Sequence, residues 1–232
     1  MNIVKRNSAV ALLAMGVVIL FGAATVSAAS TPTLNQTINA GTLTTDILDA
    51  SRVAVGSPAA AFSAKTFSFD CQYGGSASTA SLGSNLERVY VINPNGANNG
   101  WSLSIAATTG VTALWQNGGS TQNYDYNDPT GVNPGCNDGA DPDNKAGQLT
   151  INPSASTINL DCLTCASSNV TKGSSASFNQ GTTDAITLLN AAAASDDIWR
   201  GYLTGIAMSQ TIPAEQPADS YNVNMTVTVT AN

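Results

Sequence analysis

The densest group of side chains that could do chemistry lies in an acidic stretch in the middle of the chain. It runs from Tyr124 to Asn144, holds five of the fifteen acidic residues and contains no lysine or arginine. Calcium prefers roughly six to eight oxygen ligands from carboxylates, amides and backbone carbonyls. Gly135 and Gly139 would let the backbone curl around such an ion. The side chains that we predict as calcium ligands are Asp128, Asp138, Asp141, Asp143 and Asn144.

The same acidic stretch also has a simpler interpretation. Residues 138–144 resemble part of a thrombospondin-type calcium loop with a different spacing, and Lys145 stands where an EF-hand would supply a ligand. The alternative to a calcium site is therefore a solvated acidic loop tied down by Cys136. No cofactor other than calcium is expected.

Four cysteines are the next group with a defined chemistry: Cys71, Cys136, Cys162 and Cys165. An even number of cysteines in an exported chain predicts two disulfides. The spacing does not choose among the connectivities, but we favour Cys136 joined to Cys162 or Cys165, which would fasten the acidic loop to the following strand. The Cys162–Cys165 spacing also fits a redox motif or half of a zinc site, although no βαβ pattern surrounds it.

The residue types of most hydrolases are missing. The chain has no histidine, which excludes a Ser-His-Asp triad, a Cys-His dyad and a His-ligated zinc. Two carboxylates could in principle hydrolyse a glycoside, and the nearest pairs are Asp196 with Asp197 and Asp125 with Asp128. Nothing in the sequence places an acid opposite a nucleophile, so we expect a protein that is not an enzyme.

The charge balance limits the partners. Eight basic and fifteen acidic residues give a formal net charge of −7. Phosphate contacts need lysine and arginine, so nucleic acid is not an expected partner. Aromatic rings could stack on sugars where they are exposed, whereas single rings are more often packing residues. The rings considered for glycan binding are Trp115, Tyr124, Tyr126, Trp199 and Tyr202.

The first residues have the features of a secretory signal peptide. Lys5 and Arg6 precede an apolar run that is shorter than the roughly 20 residues of a membrane-spanning helix. Val26-Ser27-Ala28 then supplies the small residues that a signal peptidase reads. Cleavage after Ala28 gives a signal peptide, 1–28, and one secreted domain, 29–232, with a net charge of 6 − 15 = −9. No membrane span is expected in the mature form.

The elements that must position these side chains are mostly strands. Four segments alternate apolar and polar residues with a period of two, at 67–71, 86–92, 101–107 and 222–230. Many short strands with frequent turns predict an all-β fold, a single antiparallel β-sandwich of the Greek-key or jelly-roll kind. The alanine- and leucine-rich segment Ala185–Ala194 predicts one short helix, and the acidic stretch predicts one long loop.

Three segments resemble secreted bacterial proteins. The segment Asn99-Gly100-Trp101-Ser102-Leu103-Ser104-Ile105 resembles the Trp-x-Leu motif of WxL-domain surface proteins. The C-terminal segment from Ile212 to Thr228 is similar to the closing strand of those domains, with Val227-Thr228-Val229 where the family has a second Trp-x-Leu. Ile38-Asn39-Ala40-Gly41-Thr42-Leu43 resembles the first strand of β-sandwich proteins of the camelysin and biofilm-matrix type.

The resemblance implies a β-sandwich protein held non-covalently at the bacterial cell surface. Because WxL domains bind peptidoglycan, it implies surface-binding roles for Trp101 and Leu103. These two residues are two steps apart on one strand and share a face, so core packing is the alternative.

Together these observations predict a non-catalytic structural or adhesive protein of a bacterial envelope or extracellular matrix. One alternative is a module that binds glycan or peptidoglycan. Another is a fibre subunit that donates its N-terminal segment, 30–57, to a neighbour's sheet rather than to its own. The expected partners are cell-wall glycan, other surface proteins or a further copy of the chain.

Overall fold

The computed structural model describes residues 34–96, 99–139, 143–193 and 198–232. The chain divides into two units, Met1–Ile38 and Asn39–Asn232. The described part of the first unit contains no strand or helix, and the predicted signal peptide lies outside the described residues. All elements below belong to the second unit.

The second unit is built from short β-strands. The first eight are β1 (Thr44–Leu48), β2 (Ser78–Leu82), β3 (Arg88–Asn93), β4 (Trp101–Ala107), β5 (Leu114–Asn117), β6 (Asn123–Asp125), β7 (Asn127–Asp128) and β8 (Gly147–Asn152). The next eight are β9 (Thr157–Leu160), β10 (Val170–Lys172), β11 (Ala176–Ser177), β12 (Ala185–Ala191), β13 (Trp199–Thr204), β14 (Ile206–Thr211), β15 (Tyr221–Asn222) and β16 (Met225–Ala231). Two single-turn 3-10 helices span Gly74–Ser76 and Pro153–Ala155.

The strands form antiparallel sheets around one hydrophobic core. Their strand orders are β1-β3-β13-β9, β10-β12-β4-β16, β11-β8-β14-β2 with β7 added on β8, and β15-β5-β6. The prediction of an all-β sandwich is confirmed. The N-terminal strand β1 pairs with β3 of its own chain, from Thr44 opposite Ile92 to Leu48 opposite Arg88.

Strand β4 shows how the sequence pattern becomes the core. Its residues alternate between buried and half-buried along its whole length, as the period of two requires. Trp101, Leu103 and Ile105 are at most 2% exposed, and β4 lies between β12 and β16. Burying each such side chain contributes about 1.5–3 kcal/mol, so this strand is a main source of stability.

The predicted helix at Ala185–Ala194 is wrong, because Ala185–Ala191 is strand β12. Ile186 lies opposite Ile105 of β4, and the register shifts between Thr187 and Leu189. This bulge lets the consecutive residues Leu188 and Leu189 both be buried. Burial between two neighbouring strands therefore outweighs the weak helix preference of alanine and leucine.

A second local prediction is also wrong. The alternating segment at 67–71 forms no strand. Phe67 and Phe69 are exposed and meet each other edge to face, with 5.1 Å between ring centroids. The alternation covers only two aromatic residues, which is too short to bring a strand into the core.

Two disulfides are present, as predicted, but their pairing differs from the one we favoured. Cys71 pairs with Cys136, and Cys162 pairs with Cys165, with Cα–Cα distances of 5.6 and 5.7 Å. The acidic loop is thus fastened to a segment 65 residues earlier. Only the folded topology brings these distant segments together, so spacing along the sequence could not reveal the partner of Cys136.

Candidate functional site

The structure places both residues of the Trp-x-Leu segment in the core. Trp101 is 1% exposed and Leu103 is fully buried. The Trp101 ring lies 5.1 Å from the ring of Trp199 on β13. Neither side chain can reach a ligand at the surface, and their position is that of the core-packing alternative.

The prediction of one long loop from Tyr124 to Asn144 is wrong at its start, which forms the end of β6 and all of β7. Asp128, the last residue of β7, accepts hydrogen bonds from the backbone of the loop that follows. It is 1% exposed, and its two carboxylate oxygens accept hydrogen bonds from the backbone N–H groups of Thr130 (3.0 Å) and Gly139 (2.9 Å). Asp143 forms an ion pair with Lys145 at 2.8 Å and also accepts the Lys145 backbone N–H. The carboxylates of Asp128 and Asp143 therefore already hold this stretch together.

The other predicted ligands are either exposed or outside the described residues. Asp138 and Asn144 are exposed, and Asp141 lies outside the described residues. Within the described ranges, no three histidine, cysteine, aspartate or glutamate side chains form a group that could hold a metal ion. Calcium binding by this loop stays a prediction.

The rings considered for sugar binding separate into two groups. Tyr126 and Trp199 are at most 1% exposed, and Tyr202 packs against Tyr90 at 4.9 Å. Trp115 and Tyr124 are also mostly buried, at 8% and 6% exposed, but their remaining surface lines a groove. Of the carboxylate pairs, Asp125 and Asp128 are buried in the fold, while Asp196 and Asp197 lie outside the described residues.

The groove has a volume of about 390 Å³. It is lined by residues 60–68, 212–213 and 216–221. Trp115 and Tyr124 also line it. A second, more apolar cavity of about 310 Å³ shares Phe62, Trp115 and Tyr221 with it.

Five aromatic rings line the groove, and four of them contact one another. Trp115 and Tyr124 are directly opposite each other on β5 and β6, and their rings stack with centroids 5.9 Å apart and planes 9° from parallel. Phe62 meets Trp115 edge to face at 5.2 Å, and Tyr221 meets Tyr124 in the same way at 5.2 Å. Such pairs add about 0.5–1.5 kcal/mol beyond burial, so the four rings stabilise one another.

Polar contacts fix the orientation of these rings. The Trp115 indole Nε1–H donates to Gln210 Oε1 at 2.8 Å, and Gln210 Nε2 donates to the backbone oxygens of Asp125 and Thr211. The Tyr221 hydroxyl donates to the Pro217 backbone oxygen at 2.7 Å. The ring faces are therefore held in place before any ligand arrives.

The charges in the groove are few. Asp219 accepts hydrogen bonds from the Asn117 side chain at 2.8 Å and from the Ser220 backbone, and these contacts lower its pKa. Burial, followed by the proximity of Tyr221, raises the pKa of Tyr124, so its phenol stays neutral. The other lining side chains are mostly hydroxyls, amides and small apolar groups, with Lys65 as a cation. This chemistry suits a neutral ligand that has both apolar faces and hydroxyl groups.

Sequence reasoning missed several residues of the groove. Phe62 and Tyr221 are isolated aromatic residues in segments rich in alanine, serine and proline, and Gln210 carries no signal of its own. One part of the groove could be predicted from the sequence, because Asn117-Gly118-Gly119-Ser120 has the residues of a turn. A hairpin closed by that turn places Trp115 opposite Tyr124.

Comparison of the chain with protein families, curated proteins and solved structures finds no match. In the part of the chain that the structure describes, no helix is long and apolar enough to cross a membrane.

Proposed function

We propose that this chain is a non-catalytic, secreted protein with a structural or adhesive role at a bacterial surface or in its matrix. Its aromatic groove binds a polysaccharide of that surface. The observation that carries the proposal is the fixed pair of stacked rings, Trp115 and Tyr124, beside amide and hydroxyl groups. Aromatic rings pack against the apolar faces of sugars, and amides exchange hydrogen bonds with sugar hydroxyls.

Several features support export and attachment. Two disulfides are typical of proteins from oxidising compartments, and the N-terminal sequence has the pattern of a secretory signal. The resemblance to WxL domains makes peptidoglycan the first polysaccharide to test. Because Trp101 and Leu103 are buried, the contact is assigned to the groove rather than to the Trp-x-Leu segment.

The charges of the groove support binding rather than cleavage. Glycoside hydrolysis generally uses two carboxyl groups, one of which has a raised pKa and acts as the acid. Asp219 is the carboxylate among the groove's described lining residues, and its pKa is lowered. Such a group accepts hydrogen bonds from sugar hydroxyls and is a poor proton donor.

The test is retention of the mature protein on insoluble peptidoglycan, chitin and cellulose. Phe67→Ala removes an exposed ring that lines the groove, and Phe69→Ala removes its exposed neighbour, which does not line it. Because both rings are exposed, both variants should stay folded. We expect retention on at least one polysaccharide, weakened roughly 2- to 10-fold by Phe67→Ala and unchanged by Phe69→Ala.

Two results would count against this function. Absence of retention on every polysaccharide, or equal losses in the two variants, would remove the groove as the binding site. Release of soluble sugars from the retained polysaccharide would show that the protein is an enzyme.

A further inference from the structure

Strand β16 is an edge strand, and no described strand is hydrogen-bonded to its outer side, although β1 lies near it. It pairs with β4 along all seven of its residues. The Thr108 backbone N–H donates to the Asn224 oxygen at 2.9 Å, and the Asn232 N–H donates to the Gly100 oxygen at 3.2 Å. In an antiparallel ladder the hydrogen-bonded residues alternate, so the even-numbered residues of β16 bond to β4. The odd-numbered residues direct their N–H and C=O groups away from the sheet.

No described residue pairs with that outer side, whereas the edges formed by β1, β2 and β10 are protected. The outer side of β1 receives a hydrogen bond from the Val55 N–H to the Ile47 oxygen, and β2 receives one from Ser63 to Thr79. β10 is three residues long and ends in Lys172. Short length, charge and coverage are the usual protections of sheet edges. β16, with the sequence MTVTVTA, is seven residues long and uncharged, and no described residue covers its outer backbone groups with hydrogen bonds.

The strand is also complementary to itself. If two copies run antiparallel with Thr228 opposite Thr228, Val227 lies opposite Val229 and Met225 lies opposite Ala231. In this register each hydrogen-bonded pair joins two odd-numbered residues, which are those with free backbone groups, and about eight backbone hydrogen bonds form. The half-buried valines continue the apolar face, while exposed threonines meet threonines, a favourable cross-strand pair.

The distribution of charge also favours pairing between two copies of β16. The chain carries a net charge of −7, yet no charged side chain occurs from Ser220 to Asn232. Two acidic copies can approach along this segment without bringing like-charged side chains together. We propose that two copies of the chain pair through β16 about a two-fold axis at Thr228, which joins two four-stranded sheets into one of eight strands.

The experiment is sedimentation velocity of the mature protein from micromolar to millimolar concentration. Thr228→Lys places two lysines at the axis. Thr187→Lys is the matched control, because Thr187 and Thr228 both lie opposite Ser104, on either side of β4, and both are exposed. We expect a monomer–dimer equilibrium in the unmodified protein, a dissociation constant at least about 10-fold higher for Thr228→Lys, and no change for Thr187→Lys.

A cross-linking variant tests the register. Thr228→Cys should form a covalent dimer on mild oxidation, and Thr187→Cys should not. A monomer at every concentration, a dimer insensitive to Thr228→Lys, or open filaments instead of a closed dimer would overturn the proposal.

Discussion

At the scale of single residues, buried polar groups hold loops in place. Asp128 connects the start of the acidic loop with its later part through hydrogen bonds from Thr130 and Gly139. A carboxylate used in this way explains why the acidic residues of one stretch differ in exposure. Asp128 is buried, whereas Asp138 is exposed.

Replacing Asp128 should therefore destabilise the protein. Asp128→Ala leaves two backbone N–H groups without their acceptor, which we expect to lower the free energy of unfolding by about 2–3 kcal/mol. The control, Asp138→Ala, should change it by less than about 0.5 kcal/mol. Urea denaturation measures both values, and similar losses for the two variants would refute this role of Asp128.

The buried phenol of Tyr126 makes the free energy of unfolding depend on pH in the alkaline range. Its hydroxyl donates to the Gly110 oxygen at 3.2 Å. Burial, followed by the nearby carboxylates of Asp184 and Asp125, raises the pKa of Tyr126 to about 12. The unfolded chain loses this proton near pH 10, so stability is full below about pH 10 and decreases as the pH rises to about 12. Tyr126→Phe should flatten this decrease, as measured by urea denaturation across that range, and an unchanged slope would contradict the assignment.

At the scale of elements, the sequence pattern predicts the regular strands, whereas the irregular ones depend on contacts made in the folded chain. Period-two alternation predicted β4 and β16, because their apolar side chains face the core and their polar ones face outward. It could not identify β12, whose bulge places two consecutive leucines in the core and breaks the alternation. Most of the groove could not be predicted from the sequence either. Phe62 and Tyr221 are distant in sequence from Trp115 and Tyr124, and they contact these rings only in the folded chain.

The turn before β4 gives a test at this scale. Gly100 has a φ of 77°, and a Cβ there would overlap the Ala191 backbone oxygen and lie 2.7 Å from the Ala192 carbonyl carbon. Gly205 has a φ of 74° with open space around it. We expect Gly205→Ala to cost about 1–2 kcal/mol, the cost of a left-handed alanine. Gly100→Ala should cost more, because the backbone of β12 must also move. Equal costs measured by thermal unfolding would show that the close approach is unimportant.

At the scale of the whole molecule, the two disulfides contribute unequally. The Cys71–Cys136 bond closes a loop of 65 residues, and the Cys162–Cys165 bond closes one of three. Loop-closure entropy gives about 4 kcal/mol for the long loop and about 2 kcal/mol for the short one. Double serine variants of each pair, compared by urea denaturation, should reproduce this order. A larger loss from removing Cys162 and Cys165 would contradict it.

We propose that the groove is where this molecule holds a polysaccharide. The chain has three tryptophans. All three belong to the hydrophobic core, and among them Trp115 also lines the groove. The most direct measurement is the NMR signal of each indole N–H during titration with soluble fragments of the polysaccharide that retains the protein. We predict that the Trp115 signal shifts progressively while those of Trp101 and Trp199 stay fixed. Binding that leaves the Trp115 signal unmoved would place the site elsewhere and contradict the claim.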